Sequence, residues 1–117
     1  MDEPKTSSMR LPVREVARTS KPHRLELVRG PDAPRDIELG EGTTVFGRST
    51  TADVRIDSSE LSRTHLSLTF VDGEYVIQDL NSSNGVYLNG VKIHSATLRD
   101  GDQIQVGGVI LVYREGA

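Results

Sequence analysis

Residues 66–79 read Leu66-Ser67-Leu68-Thr69-Phe70-Val71-Asp72-Gly73-Glu74-Tyr75-Val76-Ile77-Gln78-Asp79, and this stretch decides the fold. Leu66, Leu68 and Phe70 recur at the period of two that turns one face of a strand toward a core. Asp72-Gly73 is a tight two-residue turn, and Tyr75-Val76-Ile77 returns as the second arm of a hairpin.

The same texture runs outward in both directions. Upstream, Leu25 and Leu27, then Ile37 and Leu39, alternate with polar residues around a turn at Gly30-Pro31-Asp32. Thr43-Thr44-Val45-Phe46 forms a third strand ending at Gly47, and Asp53-Val54-Arg55-Ile56-Asp57 a short fourth. Downstream, Val86-Tyr87-Leu88 turns at Asn89-Gly90 into Val91-Lys92-Ile93. Asp100-Gly101-Asp102 then leads into Ile104 and Val106, and the run Val109-Ile110-Leu111-Val112-Tyr113 closes the pattern. No segment has the period of a useful helix. Ten or so short strands separated by Gly, Asn and Asp turns predict an all-β sandwich. Loops clustered at one end of such a fold are where binding residues gather.

Composition narrows the function. The chain has 117 residues, 35% of them hydrophobic and none of them Trp, so one domain with a core of Val, Ile and Leu is expected, with some chain to spare. The absence of Cys removes disulfides and thiolate metal sites and favours a cytoplasmic location. No apolar run approaches the roughly 18 residues of a membrane span, and no signal-like apolar stretch opens the chain. A net charge of −3 argues against nucleic acid as the ligand. The charge is unevenly spread. Residues 1–23 carry five Lys/Arg and three Asp/Glu, whereas residues 24–117 carry nine and fourteen. Three prolines and the lack of any sustained apolar period make residues 1–23 read as a flexible tail on an acidic domain of residues 24–115, with residues 116–117 as linker.

Three polar clusters sit where strands hand over to loops. In Gly47-Arg48, Gly allows close backbone approach and Arg offers a rigid fork of donors matched to phosphate or carboxylate oxygens. By itself the pair also reads as a turn beside a surface cation. In Ser62-Arg63-Thr64-His65, a hydroxyl and a second guanidinium precede a strand. A nucleophile–base reading of Ser62 and His65 lacks the glycine pattern of a nucleophile elbow and an orienting acid, so no enzyme is expected. Asn81-Ser82-Ser83-Asn84-Gly85 has turn-forming composition together with two amides and two hydroxyls. His23, His65 and His94 lack metal-ligand spacing, and no phosphate-cradling glycine loop is present, so neither metal nor cofactor is expected.

Taken in order, these clusters closely resemble the forkhead-associated (FHA) domain family. The resemblance is carried by Phe46-Gly47-Arg48, Ser62-Arg63-Thr64-His65, Asp79-Leu80-Asn81-Ser82-Ser83-Asn84-Gly85 and Leu88-Asn89-Gly90. Leu98-Arg99-Asp100-Gly101-Asp102 and Ile104 extend it, and it covers about residues 24–115.

The resemblance implies an eleven-stranded β-sandwich that binds phosphothreonine peptides through loops at one end. By position, Arg48, Ser62 and Ser83 are then expected to hold the phosphate, and Arg63 and Asn84 to contact the peptide backbone. Gly47 is expected to give close approach. His65 is expected to brace the loops and wall a pocket for the threonine methyl, and Asn89 to tie its loop together, with Gly85 also structural. Ser83 stands where the family often has Thr, which keeps the hydroxyl. Glu60 stands where some relatives carry a basic residue that reads the third residue after the phosphothreonine, so a basic or neutral residue is expected there.

The function implied is a phosphothreonine-dependent binding module in kinase-linked signalling, downstream of a Ser/Thr kinase, as the N-terminal input domain of a larger protein. Its partner is a phosphothreonine-containing protein or peptide, with no nucleic acid or membrane. The competing reading is a structural or oligomerising sandwich with a lapsed pocket, disfavoured because Arg48, Ser62 and Asn84 occur together. The basic tail also presents Thr6 after Lys5 and Thr19 after Arg18, candidate phosphosites through which it would become a ligand for the domain; otherwise it is only a leader.

Overall fold

Residues 23–116 are described by the structure, a computed structural model, so the tail with Thr6 and Thr19 lies outside the described residues. Eleven strands follow in order: β1 (Arg24–Arg29), β2 (Arg35–Glu38), β3 (Thr43–Gly47), β4 (Val54–Arg55), β5 (Leu66–Val71), β6 (Glu74–Asp79), β7 (Val86–Leu88), β8 (Val91–Ile93), β9 (Ser95–Thr97), β10 (Gln103–Val106) and β11 (Val109–Arg114). One sheet has the order β2-β1-β11-β10-β7-β8 and the other β4-β3-β5-β6-β9. This is the β-sandwich expected from the hairpin pattern. The Leu66–Asp79 hairpin pairs antiparallel without a break, from Leu66 opposite Asp79 to Val71 opposite Glu74.

The alternation does its work at the interface of the sheets. Leu25, Leu27, Ile104, Leu111 and Tyr113 from one sheet, and Phe46, Leu66, Leu68 and Ile77 from the other, are at most 2% exposed. At about 25 cal/mol per Å² of apolar area, burial of such side chains is the main force holding the sheets together.

Strand β9 differs from expectation. Ser95-Ala96-Thr97 carries no large apolar residue, and its pairing with Val76, Ile77 and Gln78 of β6 makes it a strand.

Strand directions give the sandwich two poles. Because β1 runs antiparallel to β11, with Arg24 opposite Arg114 and Arg29 paired with Ile110, the start of β1 lies at one end and the β10–β11 turn at the other. The β3–β4, β4–β5 and β6–β7 loops, which carry the three polar clusters, share the second end.

Candidate functional site

The β3–β4 and β4–β5 loops are zipped together by backbone. Arg48 N donates to Ser62 O at 3.0 Å, Ser49 N to Arg63 O at 3.1 Å and His65 N to Phe46 O at 2.8 Å. Gly47 makes this possible: a Cβ there would stand 2.0 Å from the Arg63 carbonyl oxygen. The close approach that Gly47 permits is therefore to the neighbouring loop of the protein itself.

Arg48 is placed by its own backbone and by one guanidinium nitrogen. Its Nε donates to Leu61 O at 3.1 Å. That bond fixes the plane of the fork and leaves the two terminal nitrogens to present paired N–H groups, the geometry that meets two oxygens of a phosphate. Arg55, which sequence reasoning passed over, supports the loop from below. Its Nε donates to the Arg48 carbonyl at 3.0 Å, and its terminal nitrogen pairs with Asp57 at 3.2 Å. No motif signals Arg55; its role arises from the parallel pairing that sets it beside Gly47.

His65 joins the β4–β5 and β6–β7 loops from the inside. It is fully buried, its Nδ1 accepts from Ser62 N at 2.9 Å, and its Nε2 lies 2.9 Å from Gly85 O. An acceptor at Nδ1 and a carbonyl at Nε2 assign the neutral ring with its proton on Nε2. The nitrogen nearest Ser62 is thus occupied by that residue's backbone N–H, and it is not set to take a proton from the Ser62 hydroxyl.

On the outside, Ser83 N donates to Ser62 Oγ at 3.0 Å, so the Ser62 hydroxyl accepts from the protein and keeps its own proton to donate. Asn84 Nδ2 donates to Glu60 O at 2.7 Å. One N–H and the carbonyl oxygen of that amide remain, the pair that a peptide backbone requires. Within the β6–β7 loop, Asp79 accepts from the Ser82 backbone and hydroxyl, and Ser82 Oγ accepts from Gly85 N at 3.0 Å. Gly85 has a φ of 80° in the left-handed region, and the stem of Lys92 covers the place where its side chain would stand.

The structure places the remaining expected residues as follows. The Arg63 side chain is exposed beside the loops, while its carbonyl serves the zipper. Glu60 accepts from Gly108 N through its carboxylate, fastening the β4–β5 loop to the β10–β11 turn. An open cavity of about 430 Å³ adjoins it, lined by Glu60, Asn84, Tyr87, Gly90, Gln105 and Gly107. The Asn89 amide donates to Asp102 Oδ1 and accepts from Gln103 N, both at 2.9 Å, tying the β7–β8 turn to β10. Among the described residues, no group of three or more His, Cys, Asp or Glu is placed to hold a metal, and no helix is long and apolar enough to cross a membrane.

Known proteins resemble both the sequence and this arrangement. Residues 44–107 match the sequence model of the FHA domain. The glycogen accumulation regulator GarA of Mycolicibacterium smegmatis is 36% identical over 92 residues, spanning 79% of this chain and 58% of that protein. The oxoglutarate dehydrogenase inhibitor of Corynebacterium efficiens is 36% identical over 92 residues, 79% of this chain and 65% of its own. The chain thus spans about three fifths of the length of these curated relatives. A solved chain from a structural and functional study of phosphothreonine-dependent FHA domain interactions superposes with a TM-score of 0.73 at 31% identity, over 82% of this chain and 96% of that one.

Proposed function

The chain belongs to the FHA domain family of phosphothreonine-binding modules, and from that premise we propose that Arg48, Ser62 and Ser83 grip the phosphate while Arg63 and Asn84 hold the peptide backbone. The observation that carries this reading is the fastening of three loops so that unspent donors converge. The Arg48 fork is anchored through Nε alone, the Ser62 hydroxyl accepts from the protein but does not donate, and the Asn84 amide is half used. The donor set suits an oxyanion of about −1.5 to −2 charge better than any neutral group.

Glu60 and the adjoining cavity make the third residue after the phosphothreonine the position most open to selection, in favour of a basic or neutral side chain. One Glu60 oxygen is held by Gly108, and the other remains for a ligand cation. The relatives named for control of glycogen accumulation and for inhibition of oxoglutarate dehydrogenase favour a regulatory role, which we place within kinase-linked signalling, as the input domain of a larger protein. The tail of residues 1–23, with Thr6 and Thr19 among basic residues, is a candidate ligand once phosphorylated.

The test is calorimetry with matched peptides. The phosphothreonine form should bind and the plain form should not. Arg48→Ala should cost at least about 2 kcal/mol, more than tenfold, because a charge-assisted bidentate contact disappears. Equal binding of both peptides would refute the proposal.

A further inference from the structure

Lys92 is a cation whose stem is placed and whose charge is unspent. It lies on β8, opposite Tyr87 of β7. A Cβ at Gly85 would stand 2.9 Å from Lys92 Cε and 3.6 Å from Nζ, so the side chain runs back from its strand across the β6–β7 loop. Gly85 is fixed there at both ends, its carbonyl by His65 and its N–H by Ser82. The ammonium is thereby set beside the residue that follows Asn84. Lys92 remains exposed, and among the described residues it forms no ion pair. Other cations of the domain are partnered, Arg55 by Asp57 and Arg114 by Glu26.

A surface lysine without a partner is ordinary, and its stem would cover Gly85 for packing alone. What sets Lys92 apart is its place relative to Glu60. Glu60 is fastened to the β10–β11 turn through Gly108 N, and the sheet runs in the order β11-β10-β7-β8. Strand β7, with the loop that leads into it, therefore lies between the Glu60 carboxylate and Lys92. Asn84 faces the first side, where its amide donates to the Glu60 carbonyl, and Gly85 lies under the second. A backbone gripped by Asn84 passes between a carboxylate and an ammonium.

Resting on the reading that Asn84 holds a phosphothreonine peptide whose later residues face Glu60, we infer that Lys92 is a specificity-determining residue that selects an acidic side chain, Asp or Glu, before the phosphothreonine. An extended ligand runs through the loops in one direction. With its following residues toward Glu60, its preceding residues turn toward β8. There a ligand carboxylate meets opposite charge, and a ligand Lys or Arg meets like charge. Each effect has the size of an exposed ion pair, up to about fivefold in affinity and weakened by salt. Selection then comes from rejecting a base as much as from attracting an acid. The ligand so defined is polarised, acidic ahead of the phosphate and basic or neutral behind it.

The test uses the full chain and a phosphothreonine peptide with neutral flanks, in which Asp or Lys is placed at each flanking position in turn. The readout is the ratio of Asp to Lys affinities at each position within one protein, which a general change in affinity leaves untouched. The wild-type chain should favour Asp at a preceding position by about threefold or more at low salt, and by less as salt is added. Lys92→Met keeps the stem over Gly85 and removes the charge, so the preference should vanish. Lys92→Glu should turn it toward Lys. A wild-type chain with no preference for Asp at any preceding position, or a preference that Lys92→Met leaves intact, would overturn the inference while phosphate recognition stands. Plain threonine peptides that bind as well as their phosphorylated forms would overturn the reading on which it rests.

Discussion

Arg48 is held at Nε by the Leu61 carbonyl and at its backbone by Ser62 and Arg55, so its fork is oriented before any ligand arrives. Such preorganisation removes part of the ordering cost of binding. It depends on Gly47, one residue back. A methyl group there would meet the Arg63 carbonyl at 2.0 Å, and because the obstacle is backbone, the β4–β5 loop would have to move. Gly47→Ala should destabilise the domain by about 1–3 kcal/mol. It should also weaken phosphopeptide binding about tenfold or more, since a displaced loop carries Ser62 and Arg63 out of hydrogen-bond range. Gly40→Ala is the matched control, as nothing lies within 4 Å of a Cβ at that position. Urea unfolding and calorimetry on the two variants settle the point: equal effects from both would show that the tight approach at Gly47 is without consequence.

At the scale of elements, the loops act as one body because hydrogen bonds link their inner and outer surfaces. His65 bridges Ser62 and Gly85 inside, while Ser62–Ser83 and Glu60–Asn84 bridge outside. Removing the imidazole leaves the half-buried Ser62 N–H and the buried Gly85 carbonyl without partners. His65→Ala should therefore cost about 2–4 kcal/mol of stability. The preference for phosphothreonine over phosphoserine is expected at about 1–3 kcal/mol if the methyl fills a shaped pocket, against about 0.8 kcal/mol from area alone. The same variant should erode that preference, and calorimetry with peptides differing only in the methyl would show it. A variant that kept both its stability and its preference would remove His65 from the pocket. The strands themselves were legible wherever apolar alternation met a turn signal, as at Leu66–Asp79. β9 was not, because Ser95-Ala96-Thr97 becomes a strand only through β6. The candidate site was legible as an inventory, by motif. Its fastening was hidden: Asn84 meets Glu60 across 24 residues, Arg55 meets the Arg48 carbonyl as well as Asp57, and Glu60 gives one carboxylate oxygen to a turn 48 residues away. Backbone partners leave no mark in residue types.

Across the whole molecule, the proposed binding loops and a large share of the aromatic packing occupy opposite poles. His23, Phe70, Tyr75 and Tyr113 cluster where the tail enters, with ring centroids 5.0–6.3 Å apart between neighbours. Burial pushes the Tyr113 hydroxyl up to about 12, reinforced by Glu115, Tyr75, Asp100 and Glu74. Tyr75 is raised as well, by burial first and then by Glu41. For both groups the folded state resists ionisation more than the unfolded chain, whose phenols titrate near 10. Below pH 10 both states are neutral and the full stability is present. Between pH 10 and about 12 the unfolded state loses its phenolic protons first, so stability falls as pH rises through that window. Tyr113→Phe removes one of these titrations and also the contact with His23. The variant should start out less stable at neutral pH and lose less between pH 10 and 12 than the wild-type chain. Its affinity for a phosphothreonine peptide at neutral pH should be unchanged, because Tyr113 lies about 17 Å from the Glu60–Gly108 junction at the other end of β11. Urea midpoints across that range, set beside calorimetry at neutral pH, separate the two poles. A parallel loss of affinity in the folded variant would mean that the tail's end of the sandwich and the recognition loops are coupled through the core.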